Sequence, residues 1–142
     1  MIAVDTNVWS EATKAEPSQN VRAWVRAHSD QLWLPTIVLA ELRAGAAMMQ
    51  AGRRRSDLES HFDQLAMLYA DRLLDFDEQA SGHYARVLEG AKMQGRPIGT
   101  ADAMIAATAL RHGMALATRN LSDFAGAGVT LIDPWHAPLP HP

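Results

Sequence analysis

The sequence predicts an α/β fold, a three-layer α/β/α sandwich around a central, mostly parallel sheet of about five strands. Three observations predict it. Short apolar runs recur along the 142 residues, helical patterns fill the spaces between them, and no internal repeat or linker divides the chain. Alternation of this kind closes into a parallel sheet by right-handed crossovers. A chain of this length reads as one domain and buries roughly 68% of the surface its unfolded form exposes.

The elements follow in order. "IAV" (2–4) is the first strand; it ends at Asp5 and gives way to a helical pattern over 7–14. A second helix, over 18–28, starts behind Glu16-Pro17-Ser18, and "LWL" (32–34) is the second strand. Thr36 then caps a helix to about Gln50, and another from about Arg55 to Ala70 carries Leu58, Phe62, Leu65 and Leu68-Tyr69 at helical spacing. These two consecutive helices interrupt the alternation and predict a protruding helical hairpin. "LLDF" (73–76) is the third strand, followed by a helix from Asp77 or Glu78 to Met93, closed by Gly95. Thr100 caps a strongly apolar helix that Gly113 stops at His112, and "MALAT" (114–118) and "VTLI" (129–132) complete the sheet. The domain spans 1–133, and the Pro-rich tail 134–142 is expected to fray.

Composition narrows the function. Apolar residues at 48% and charged ones at 20% describe an ordinary soluble globular protein. The absence of Cys excludes disulfides, thiolate zinc sites and Cys nucleophiles. Asp5 falls too early for a secretory apolar segment, and no run approaches a membrane span, so a cytoplasmic location without membrane contact is expected. A formal charge of −3 argues against broad electrostatic capture of nucleic acid, but not against nucleic-acid chemistry assisted by divalent metals or a basic partner.

Four acids stand out by position. Asp5, ahead of Thr6-Asn7, leaves the first strand at the edge where open α/β sheets bind ligands, and it reads equally well as a helix N-cap. Glu41, in "PTIVLAELRAGAAMM", shares a helical face with Ile37, Ala44, Gly45 and Met48; an acid on such a stripe is costly to bury unless paired or metal-bound. The plain alternative is an exposed face and a bond to a neighbouring Arg, although Arg43 lies off that face. Asp102, near the start of its apolar helix, suits the macrodipole, yet a helix this apolar must be buried and its start open onto a cleft. Asp123, in "LSDF", sits past the exit of the fourth strand, where a turn acid is usually only local loop chemistry. A parallel sheet gathers Asp5, Asp102 and Asp123 at one edge, with Glu41 within reach. Carboxylates held together repel one another and raise each other's pKa unless a cation sits among them. Oxygen-only ligands suit Mg²⁺ or Mn²⁺, the ions of metal-assisted phosphodiester cleavage.

With these residues placed, the chain resembles a PIN-domain ribonuclease of the VapC/FitB-like type found in toxin–antitoxin pairs. "MIAVDTNVWSE", "PTIVLAELRAG", "RPIGTADAMIAATALRHGMALATRN" and "LSDF" carry the resemblance, in family order over positions 1 to 124. It implies the PIN fold, with Asp5, Glu41, Asp102 and Asp123 as an acidic Mg²⁺ or Mn²⁺ site and Thr6, Asn7 and Thr118 as the polar residues that orient them. It further implies RNA as substrate, a homodimer, and a small cognate antitoxin that silences the site.

Other features are weighed beside these. Arg119 is a phosphate-clamp candidate, and Arg53-Arg54-Arg55 is either an RNA contact or a solvated turn between helices. None of the six His has metal-ligand spacing. The four Trp read as core or interface, with base stacking by Trp9 a lesser alternative, and the Met and Leu of 37–69 as core, dimer or antitoxin surface. The rival functions are a PIN-type nuclease acting on DNA and a non-catalytic RNA- or partner-binding module. A phosphate-accepting receiver domain shares the layout but pairs acids after the first strand and needs a late Lys; here no Lys follows Lys92.

Overall fold

The computed structural model describes residues 1–139. Its strands are β1 (Ile2–Val4), β2 (Leu32–Pro35), β3 (Leu73–Leu74), β4 (Ala115–Ala117) and β5 (Leu131–Ile132). They form one sheet in the order β3-β2-β1-β4-β5, and every pairing is parallel. Seven helices flank it: α1 (Thr6–Glu11), α2 (Gln19–Ala27), α3 (Thr36–Ala47), α4 (Arg53–Leu68), α5 (Glu78–Met93), α6 (Thr100–Arg111) and α7 (Leu121–Phe124). A sheet covered on both faces buries its central strand completely, which is why β1 is unbroken apolar sequence, with Ala3 and Val4 fully inaccessible, while the edge strand β5 is only half-buried.

The core follows the same logic. Trp24 and Val21 of α2, Val38 and Leu42 of α3, and Phe62 and Leu65 of α4 are buried with the strands. Trp9 is core too: its indole N–H donates to the Val4 carbonyl at 3.1 Å and its ring meets Tyr69 edge-on, which removes it as an RNA-stacking surface. Helix α6 is the most enclosed, burying Ala103, Ile105, Ala106, Ala107, Thr108 and Ala109, and its small side chains let α5 pack directly against it. The buried Thr108 hydroxyl donates back to the Met104 carbonyl at 2.8 Å, so it needs no outside partner.

Several boundaries differ from those the sequence predicts. Thr36 and Thr100 are first helical residues, and extended Pro35 and Gly99 take the N-cap positions without a side-chain bond. The Thr36 hydroxyl instead donates to Leu74 at 3.3 Å, tying α3 to the edge strand. Ser18 and Asp77 do cap, accepting from the Val21 and Ala80 amides. The third strand stops at Leu74, and the fifth loses Val129 and Thr130, although Thr130 still accepts from the Leu116 amide at 2.8 Å. Arg53-Arg54-Arg55 is not an interhelical turn: it opens α4, behind Gly52 at φ 155°. The first residues of the predicted tail pack on the domain, with the Ala137 amide donating to the Asp133 carbonyl at 2.8 Å. Pro134 is buried, and the Asn20 side chain donates to the carbonyls of Pro134 and Trp135 at 2.8 and 3.1 Å. The rest of the predicted tail, 140–142, lies outside the described residues. Among the described residues no helix is long and apolar enough to cross a membrane.

Candidate active site

Strand order places the site. From β1 the chain builds outward through β2 to β3, then returns to the other side of β1 for β4 and β5. The reversal falls between β1 and β4, and in open α/β sheets a crevice forms there, beyond the carboxyl ends of the strands. Asp5 directly follows β1 and Thr118 directly follows β4.

Asp5 is only 3% exposed and is held from both sides. Its Oδ1 accepts from the Thr6 amide at 2.7 Å, so it is the N-cap of α1, while Oδ2 accepts from the Thr118 hydroxyl at 2.7 Å. Capping leaves Oδ2 facing the Thr118 side of the crevice. Burial pushes the Asp5 carboxyl above its ordinary range, the bonds from Thr118 and Thr6 oppose that push, and the nearby Glu41 charge adds to it. Thr118, fully buried, also accepts from the Asn120 amide at 3.1 Å. Asn7 spans the same junction: its side-chain amide reaches Asp5 and Thr118 at 3.4 Å each, and its Oδ1 accepts from the Arg119 amide at 3.1 Å.

Glu41 is half-buried on α3, and its Oε1 accepts from the Thr6 hydroxyl at 2.7 Å. Of the two readings of its helical face the exposed one holds: Ala44 and Gly45 are exposed and Met48 is 87% exposed. A threonine rather than an arginine orients Glu41, and Arg43 pairs with Asp63 of α4 instead.

Asp102 lies in the first turn of α6 and is half-buried. Its carboxyl is pushed up to about 6, first by burial and then by the charges of Asp5, Glu41 and Asp123. Asp5, Glu41 and Asp123 are thus near enough to raise Asp102, although they follow β1 or stand on α3 and α7 while Asp102 stands on α6. Asp123 is exposed on the short α7, which follows β4.

This donor set, four carboxylates without His or Cys, fits a hard divalent cation, and a cation would remove the repulsion that raises Asp102. Among the described residues no three acids or histidines are already drawn together as a coordination shell. Asp5 and Glu41 are instead oriented by the hydroxyls of Thr118 and Thr6.

The PIN domain model matches residues 2–127. This chain belongs to the PIN-domain family. The PIN chain is 46% identical over 137 residues to VapC ribonuclease Y4jK of Sinorhizobium fredii, covering 95% of this chain and 98% of that protein. It is 38% identical to Toxin FitB of Neisseria gonorrhoeae, covering 96% and 99% of the two chains. The crystal structure of FitAcB from Neisseria gonorrhoeae superposes with a TM-score of 0.90 at 38% identity, covering 96% of this chain and all of that one.

The arginines of this PIN domain are distributed differently from the acids. Arg119 lends its backbone N–H to Asn7, while its guanidinium lies over the Trp135 ring, 5.0 Å from the centroid. Arg54 donates to the Thr13 carbonyl at 2.7 Å, and Arg55 bonds Glu59 at 2.7 Å and the Met49 carbonyl at 3.3 Å. Two residues pass unnoticed in the sequence. Glu11, 4% exposed, accepts from the Ser18 amide at 3.0 Å and pairs with Lys14 at 2.8 Å, joining α1 to the start of α2. Arg96 lines a cavity of about 300 Å³ together with Asp123. The signal for it was the turn Gly95-Arg96-Pro97, just ahead of the helix that carries Asp102.

Proposed function

We propose that this PIN domain is a Mg²⁺- or Mn²⁺-dependent endoribonuclease and the toxin of a toxin–antitoxin pair, acting in the cytoplasm. The observation that carries the reading is Asp102, raised to about 6 with the other three acids among its causes. Asp5, Asp102 and Asp123 would hold the ion, and Glu41 would ligate through water or help activate the nucleophile. When bound, such an ion lowers the pKa of a water and offsets charge on the phosphate in transit. The remaining work belongs to the chain. Thr118 and Asn7 fix the Asp5 rotamer, and Thr6 fixes Glu41 through Oε1, leaving Oε2 to take a proton from the attacking water. Arg119, beside Thr118, is the nearest of the proposed phosphate contacts in sequence, with Arg53, Arg54 and Arg55 farther along the chain. The names of the relatives, a VapC ribonuclease and a FitB toxin, support this reading over a DNA nuclease or a non-catalytic module.

The expected result is endonucleolytic cleavage of RNA with added Mg²⁺ or Mn²⁺, lost in EDTA, restored by metal and lost in Asp5→Asn. Cleavage of DNA alone, or metal binding without turnover, replaces this reading with a rival one.

A second expectation concerns assembly. Met48, Met67 and Leu68 stand 87%, 78% and 73% exposed on the α3–α4 hairpin, surface that a second copy or the antitoxin would cover. The purified chain should sediment at twice its 15.5 kDa mass, and a monomer at micromolar concentration excludes the homodimer.

A further inference from the structure

Two adjoining cavities, of about 400 and 300 Å³, run along the turn that joins α5 to α6. They share Ala91 and the turn residues Gly95 to Ile98, so they form one groove that passes Arg96. One end opens on Ser122 and Asp123 of the proposed site, and the other on Leu88 and Lys92. The walls between are aliphatic, from Val87, Ile98 and Ala127.

The groove departs from the charge of the molecule as a whole. The chain carries a net −3, yet the only charged residues lining the groove away from Asp123 are Lys92 and Arg96. Both are exposed, and neither pairs with a carboxylate among the described residues. Arg96 is presented by a rigid turn. Gly95, at φ 64°, follows the end of α5, its amide donates to Lys92, and the Arg96 amide reaches back to the Ala91 carbonyl at 2.9 Å. The opposite wall is pinned as well: Gln94 Nε2 donates to the Gly126 carbonyl at 3.3 Å, and a Cβ on Gly126 would come within 2.5 Å of Gln94 Oε1.

We propose that this groove is the track for single-stranded RNA leaving the cleavage site, with one unpaired base against the aliphatic walls beside Asp123 and flanking phosphates on Arg96 and Lys92. The inference rests on the ribonuclease reading and deepens it by placing the strand's path and the two cations that hold it. Aliphatic walls can take up a base only once it is unstacked and unpaired, whereas an A-form duplex offers mainly phosphates and 2′-hydroxyls. The two cations then supply the salt-dependent part of the affinity.

The test uses the purified chain with Mg²⁺ and a pool of stem–loop RNAs with randomised loops. Cleavage is expected within loops and at least about tenfold slower when the same strand is annealed to its complement. Arg96→Ala should raise KM about tenfold, the loss of one charge-assisted contact. Arg96→Ala and Lys92→Ala should each flatten the dependence of log affinity on log salt by about 0.7, read by anisotropy of a labelled single-stranded RNA. Both side chains are exposed, so an unchanged melting temperature separates these losses from misfolding. Equal cleavage of annealed and free strands, or variants with wild-type KM and salt slope, overturns the groove. A wild type that binds this RNA with an Arg96-dependent slope but cuts none of it overturns the ribonuclease reading and keeps the groove.

Discussion

Asp102→Asn should give a protein that melts higher than the wild type above pH 6 in EDTA, yet cleaves RNA in Mg²⁺ about 10²–10³-fold more slowly. Both effects come from one carboxyl, displaced from an ordinary 3.8 to about 6 by burial and by Asp5, Glu41 and Asp123. Between those two pH values the folded chain holds a proton that the unfolded chain has released. Stability of the metal-free protein therefore declines as pH rises through that window, and above about 6 the full cost of the charged carboxylate is present. Asp5, shifted in the same direction, adds to the slope. Asparagine removes the Asp102 share of the cost and, with it, one of the carboxylates proposed to hold the ion. Calorimetry across pH checks the first half: the variant's curve should be flatter, and added Mg²⁺ should stabilise the wild type more above pH 6 than below it. A variant with the wild-type pH slope, or one that cleaves within tenfold of wild type, refutes the common pocket.

Thr118→Val should be the most damaging change of a residue that touches no ligand. The swap keeps the shape and deletes a hydroxyl that donates to Asp5 Oδ2 at 2.7 Å and accepts from the Asn120 amide at 3.1 Å. What is left on Oδ2 is the long 3.4 Å contact from Asn7. A buried carboxylate that loses a donor costs about 2–3 kcal/mol of stability, measurable by urea titration. The Thr118 bond is the largest influence opposing the rise of the Asp5 pKa, so the variant's acid limb of cleavage should move to higher pH, with a rate loss of about 10²-fold at neutral pH. Thr118→Ser keeps the hydroxyl and should recover most of both. A Val variant with the wild-type urea midpoint and pH profile would show that Thr118 does not position Asp5.

The sheet was legible in the sequence because a parallel strand buried on both faces leaves only one pattern, an unbroken apolar run; all five runs hold a strand, and the sheet is all parallel rather than mostly so. Boundaries were less legible where local chemistry serves a distant partner. Thr36 has the side chain of an N-cap but binds Leu74, a residue 38 positions away, and the extended Pro35 before it takes the cap position. The acids are located by one rule, that turns after parallel strands share an edge, and Asp5 does directly follow β1 with Thr118 directly after β4. What could not be read was which hydroxyl meets which acid. Thr6 and Thr118 matched polar positions by resemblance, but that Thr6 serves Glu41 while Thr118 serves Asp5 depends on how α3 crosses the sheet. The surroundings of Glu41 stay open in the sequence for a related reason: the periodicity of "AELRAGAAMM" marks a face but not what covers it, and Met48 faces solvent, as the exposed-face alternative has it.

The distance along the chain between Asp5 and the hydroxyl that orients it, 113 positions, bears on how the protein is made. Asp5 leaves the ribosome well before α6, whereas β4 and the Thr118 turn follow only after α6 has been synthesised, and β5 later still. Domains form as units while synthesis proceeds from the N-terminus. A growing polypeptide thus carries its first acid on an unpaired segment with no crevice around it, and a prematurely terminated one never gains the crevice. Translation itself thus delays assembly of the crevice until synthesis has passed β4.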